Sequence, residues 1–133
     1  MNKPCLINLN SIGDRSLGYI TVLQHPETIS FEIKRVYWTY YTPNEVIRGN
    51  HAHRALHQVI VATSGTINFE LENVNGGKYN FKLDNPGVAL YIPPLHWRTI
   101  QFSHNAVLLC MASNEYDQDD YIRDYGYFKN LLQ

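Results

Sequence analysis

Cysteine is scarce in this 133-residue chain, with only Cys5 and Cys110. Two cysteines cannot form a disulfide framework, and theirs is not zinc-finger spacing, so they are read as packed free thiols of a reducing compartment. Charge is also low: 17% of residues are charged, the formal net charge is -1, and no run of Lys or Arg occurs. That excludes nucleic acid and an acidic membrane surface as partners. No apolar segment approaches transmembrane length, and the start at Met1 to Asn8 lacks a signal-peptide core. No membrane association is therefore expected, and a cytoplasmic location is. A Gly-rich dinucleotide fingerprint is missing, as are repeats, internal linkers and low-complexity stretches. What is present is 44% apolar residues and ten tyrosines. These describe an ordinary globular protein, expected to form one domain over residues 1–133.

The hydrophobic pattern has the period of strands. Ile67, Phe69 and Leu71 alternate with polar neighbours, Asn75-Gly76-Gly77 supplies a turn, and Tyr79, Phe81 and Leu83 alternate again. The pair reads as a β-hairpin. Asp84-Asn85-Pro86-Gly87 is a second turn, followed by a strand from Val88 to Ile92 that Pro93-Pro94 closes. Ala106 to Ala112 is nearly all apolar, as in a strand covered on both faces. Helix is expected only near the end, around Asp119 to Asp124 and Tyr127 to Leu132. Many short strands separated by turns predict an all-β sandwich or barrel.

Chemistry concentrates in Arg48-Gly49-Asn50-His51-Ala52-His53. Two histidines one residue apart on a strand point to the same face and share one small volume. Parity places two arginines oddly. Phe31 and Ile33 share a face with Arg35 and Tyr37 in a strand read from Ser30 to Tyr41, and Ile100 and Phe102 share one with Arg98. If the apolar members face the core, both cations do as well. A buried cation needs a carboxylate or an anionic ligand, unless a bulge flips the parity or the strand end reaches solvent.

The spacing of these residues resembles the cupin superfamily. There, His-x-His is followed by a Glu ligand and a glycine, and a second motif runs from a glycine through a proline to a last His ligand. In this chain His51-Ala52-His53 is followed by Gln58 and Gly65, and Gly87 by Pro93-Pro94, His96 and Arg98. The fold implied is a cupin-type jelly-roll β-barrel, or double-stranded β-helix, with a short C-terminal helical segment. Gln58 stands at the Glu position and Arg98 at the last His position, so a metal would lose its anionic ligand and gain a permanent cation as neighbour. No metal and no cofactor are expected. A weak metal site that recruits His96 stays open as the alternative to acid–base use of the imidazoles.

A narrower resemblance rests on three segments: Arg48 to His53, Ile33 to Trp38, and Ala112 to Asp117 continuing through Asp120 to Tyr125. Together they are similar to the metal-independent TDP-4-keto-6-deoxyglucose 3,4-ketoisomerases, which supply 3-keto sugars for bacterial surface glycans. The resemblance implies a TDP-sugar substrate and a homodimer. It implies catalytic roles for His51 as base at carbon 3, His53 as its assistant, Arg98 at the enolate and Tyr37 as a further donor. Arg35 and Arg48 would hold the diphosphate, and Gln58, Tyr19 and His96 would line the substrate site. Three rival readings are a related 3,5-epimerase, which would exchange the hydrogen on carbon 5 as well, a metal-dependent cupin oxygenase or isomerase, which would hold iron or manganese, and a sugar-nucleotide binder or structural subunit without turnover.

Overall fold

The structure, a computed structural model, describes residues 3–132. Twelve strands run in chain order: β1 Cys5–Asn8, β2 Ser11–Asp14, β3 Gly18–Thr21, β4 Arg35–Tyr40, β5 Ile47–His53, β6 Gln58–Ser64, β7 Ile67–Asn73, β8 Lys78–Leu83, β9 Val88–Ile92, β10 His96–Phe102, β11 Val107–Ala112 and β12 Tyr121–Ile122. A 3₁₀ turn at Gln118–Asp120 precedes β12, and the helix α1, Tyr125–Lys129, follows it.

Ten of these strands form two five-stranded sheets, in the orders β1-β9-β6-β11-β4 and β12-β5-β10-β7-β8, while β2 and β3 pair as a separate ribbon. No ladder joins the two large sheets among the described residues, so the jelly roll is a sandwich and not a closed barrel. Alternation in the sequence decides the faces. Ile60, Phe69, Leu71, Leu90, Ile92 and Leu108 fill the space between the sheets. Each such side chain removed from water contributes about 1.5–3 kcal/mol. A second cluster, including Ile29, Val59, Val61, Tyr91 and Met111, covers the outer face of the first sheet. Central strands β6 and β11 are thus apolar on both sides, which accounts for the unbroken run from Ala106 to Ala112. Phe128 of α1 closes a third, small cluster with Ala52 and Ile122.

Two sequence expectations change. The strand read from Ser30 to Tyr41 begins only at Arg35, and Phe31 and Ile33 pack in the outer cluster while Tyr37 packs against the inner one. Arg35 and Tyr37 do face inward, but Phe31 and Ile33 are not their companions there. The segment Asp119 to Asp124 is not a helix: after one 3₁₀ turn it straightens into β12, which pairs with β5. Only the second helical expectation has a counterpart, in α1 at Tyr125–Lys129.

One irregularity positions the site. Along β10, Arg98 pairs with His51 but Thr99 pairs with Gly49, leaving Asn50 as an extra residue. Gly49 and Asn50 have φ of 87° and 56°, the left-handed backbone of a bulge. An alternating strand would put Arg48 and His51, three residues apart, on opposite faces. The bulge brings Arg48, opposite Ile100, and His51, opposite Arg98, to the interior side together.

Candidate active site

The pocket that holds these residues has a volume of about 490 Å³ and opens between β4 of one sheet and β5 and β12 of the other. Strand β4 contributes Arg35, Tyr37 and Thr39, β5 contributes Arg48 and His51, and β10 contributes Ile100 and Phe102. Tyr116, Tyr121 and Arg123, from the chain after β11, complete the wall.

His51 and His53 sit with ring centroids 4.9 Å apart and planes at 88°. Tyr121 lies against both rings, at 5.1 and 4.5 Å. The hydrogen bonds set their tautomers. His51 Nδ1 is 3.0 Å from the Gly49 carbonyl, which can only accept, so Nδ1 carries the hydrogen and Nε2 the lone pair. His53 Nδ1 is 2.9 Å from Asp120 Oδ2. Burial pushes the His51 pKa down to about 4, and the nearby Arg98 charge adds to the effect. Burial likewise lowers that of His53, again with Arg98 and then His51, Arg35 and Arg123 contributing. Both are neutral imidazoles at neutral pH, the form a base requires.

Arg98 lies beneath them, 2% exposed, without a carboxylate in hydrogen-bonding contact among the described residues. Its guanidinium donates to Gln58 Oε1 and, at 3.1 Å, to the His96 carbonyl, while Nε has no partner among the described residues. Because Arg98 can only donate, it fixes the Gln58 amide with oxygen toward itself and nitrogen toward Tyr37, 2.9 Å from the phenol oxygen. Burial raises the pKa of Tyr37 far above the usual phenol range, and that of the adjacent Cys110 thiol to about 11. Tyr37 is therefore a donor and not a base. The third and fourth cupin ligand positions are filled by this Gln58–Arg98 pair, and no group of three or more His, Cys, Asp or Glu side chains is arranged for a metal among the described residues.

The residues expected at the site are distributed unevenly. Arg35, Arg48, Tyr37 and His51 line the pocket. His53, Arg98 and Gln58 are buried behind it, and Gln58 spends its amide on Arg98 and Tyr37 and not on the pocket. His96 is 3% exposed, pairs Nδ1 with the Pro94 carbonyl and does not line the pocket. Tyr19 stands apart on the β2–β3 ribbon, in a depression with Leu9, Val61 and Leu109. Asp120, Tyr116, Tyr121 and Arg123 carry no role that the sequence alone reveals. Tyr121 and Arg123 are two residues apart on an extended segment, a signal hidden by the helix expected there.

Three cations surround the mouth. Arg35 lies 5.6 Å from the ring centroids of both Tyr37 and Tyr116, and Arg123 lies 4.3 Å from that of Tyr121. With Arg48 they form an anion-seeking rim around neutral imidazoles.

The sequence matches the family described as FdtA, WxcM-like, C-terminal, over residues 2–133. It is 38% identical over 128 residues to the TDP-4-oxo-6-deoxy-alpha-D-glucose-3,4-oxoisomerase of Aneurinibacillus thermoaerophilus, covering 96% of this chain and 91% of that protein. Among solved structures it resembles QdtA, a sugar 3,4-ketoisomerase of Thermoanaerobacterium thermosaccharolyticum in complex with TDP. That match has a TM-score of 0.89 and 36% identity, over 95% of this chain and 91% of that one. A histidine-to-asparagine mutant of the same enzyme, in complex with TDP-4-keto-6-deoxyglucose, matches with a TM-score of 0.91 and 33% identity, over 100% and 99% of the two chains.

Proposed function

The chain belongs to the FdtA family, and from that premise we infer that it is an isomerase moving the ketone of TDP-4-keto-6-deoxyglucose from carbon 4 to carbon 3. The observation that carries the reading is a neutral His51 on the wall of an arginine-rimmed pocket, with buried Arg98 behind it.

The chemistry asks for few parts. The ketone at carbon 4 acidifies the hydrogen on carbon 3. His51 Nε2 takes that proton as the carbon 4 oxygen acquires one, giving an enediol. Return of a proton to carbon 4 and loss of the carbon 3 hydroxyl proton leave the ketone at carbon 3. Two protons move, one between carbons and one between oxygens, and the second imidazole, His53, supports that traffic. Tyr37 supplies a neutral donor, and the Arg98 charge stabilises the developing oxyanion. Arg35, Arg48 and Arg123 face the diphosphate, and Tyr116 or Tyr121 offers a stacking surface for the base. The step is redox-neutral within the sugar, so it asks for no nicotinamide or flavin.

Residues 1–133 act as one domain in this reading, in the cytoplasm, where sugar nucleotides are made. No helix is long and apolar enough to cross a membrane among the described residues. The enzyme works as a homodimer, a state supported by the apolar residues left uncovered on β4 and on the β2–β3 ribbon.

Incubation with TDP-4-keto-6-deoxyglucose in deuterium oxide, followed by NMR, tests the whole reading. The ketone signal should move to carbon 3 with deuterium entering the ring at carbon 4. Deuterium at carbon 5 would replace the isomerase by a 3,5-epimerase, and tight binding without exchange would leave a sugar-nucleotide binder.

A further inference from the structure

We propose that Asp120 is a positioning residue for the reaction: it holds His53 as the tautomer with hydrogen on Nδ1, so that the Nε2 lone pair is the one available to the proton relay. The proposal rests on the isomerase reading of the pocket and adds a residue to it.

Asp120 is built in as a fixed carboxylate. Its Oδ2 is 2.9 Å from His53 Nδ1, and its Oδ1 accepts from the Ala55 backbone N–H at 2.8 Å. Its own backbone is anchored twice, the carbonyl accepting from Arg54 N at 2.9 Å and the N–H donating to Asp117 O at 3.1 Å. Immediately afterwards β12 pairs with β5, placing Tyr121 opposite His53. The 3₁₀ turn and β12 therefore act as a strap that carries the carboxylate to the imidazole. With both oxygens engaged, neither can turn away from its donor without leaving a backbone N–H or a ring nitrogen unpaired.

A neutral imidazole has one protonated nitrogen, and a carboxylate partner selects which. Burial first, and then the cations nearby, disfavour a second proton on His53, so the ring waits in the neutral form with Nδ1–H turned to Asp120. When His53 accepts a proton during turnover, the carboxylate steadies the imidazolium against those cations. The same division of labour, in which an aspartate orients and stabilises but does not itself take the proton, operates in serine-protease triads.

Replacing Asp120 by Asn separates orientation from packing. The amide has one oxygen, and the fixed Ala55 N–H claims it. The amide nitrogen then faces His53 Nδ1, which must become an acceptor, and the hydrogen moves to Nε2. The strap stays anchored while the lone pair is withdrawn.

Long-range proton–nitrogen correlation spectra of the full chain, labelled with nitrogen-15 in histidine and saturated with TDP, read the tautomer directly. Wild-type His53 should show a protonated Nδ1, and Asp120→Asn should invert the pattern. In the variant, kcat toward TDP-4-keto-6-deoxyglucose should fall by about 10²–10⁴-fold, while TDP affinity by calorimetry changes less than about twofold. A wild-type His53 already protonated at Nε2 overturns the proposal without any variant. An Asp120→Asn protein with the wild-type tautomer, or with an inverted tautomer and undiminished kcat, overturns it too. A wild-type protein inert toward the keto sugar overturns the isomerase reading instead, and the tautomer assignment still stands or falls on the spectra.

Discussion

In its proposed role as base, His51 is kept deprotonated first by burial and second by the Arg98 charge. An ordinary histidine is half protonated near 6.5, whereas burial and the Arg98 charge bring His51 down to about 4. A base acts in its deprotonated form, so activity carried by His51 at neutral pH should be lost only as pH falls through that lowered value. The pH profile of kcat/KM for free enzyme should be flat from neutral pH down toward the range where His51 protonates. Arg98→Met removes one cause and leaves burial, so the His51 titration followed by NMR should move up yet stay below 6.5; Arg98→Lys, which keeps the charge, should move it little. A wild-type acid limb near 6.5 would break the link. His51→Asn tests the base itself. Carbon-bound deuterium exchange should drop by about 10²–10⁴-fold, and TDP should bind nearly as before because the arginine rim is intact. Exchange surviving in His51→Asn would move the base role to another group.

At the level of elements, the bulge in β5 is what turns a sequence motif into a site. Gly49 is at φ 87°, and a Cβ there would lie 2.8 Å from the Arg98 carbonyl oxygen. Gly49→Ala should therefore cost about 1–2 kcal/mol for the left-handed backbone alone, with further loss from the contact. A urea titration should show the lower midpoint, and kcat should fall more than TDP affinity because His51, adjoining the bulge, is displaced from Arg98. An alanine variant with wild-type stability and rate would mean that the bulge is dispensable. The same bulge marks the limit of what periodicity reveals. Hairpin β7–β8, strand β9 and the twice-covered β11 were legible because their side chains alternate, or are uniformly apolar, within one regular ladder. Arg98 was legible as inward for the same reason, sharing β10 with Ile100 and Phe102. The inward direction of Arg35 does not follow from Phe31 and Ile33, which pack elsewhere, because no local pattern tells which side of a sheet a segment covers before it joins the ladder. Asp120 escaped notice because its partner is 67 residues away in sequence and its own segment, rich in Asp, favours caps and turns over a period that would aim a side chain.

For the whole molecule, the outstanding matter is the surface that the fold leaves apolar. On β4, an edge strand, Trp38 is 62% exposed and is flanked on the same face by Val36 and Tyr40. The β2–β3 ribbon adds Ile12, Leu17 and Ile20, all well exposed. An uncovered edge with apolar side chains invites pairing, and the net charge of -1 provides little electrostatic repulsion to oppose it. Dimerisation would cover these side chains, and it also bears on Tyr19, which lies on the same ribbon, remote from the His51 pocket of its own chain. Sedimentation equilibrium at micromolar concentration should give twice the mass of one chain. Trp38→Glu and Ile20→Lys, each placing a charge on an uncovered apolar surface, should shift the mass toward that of one chain while leaving the far-ultraviolet circular dichroism of the sandwich unchanged. A wild-type protein that sediments as a single chain, or charged variants that stay paired, would show that these surfaces do not join two copies.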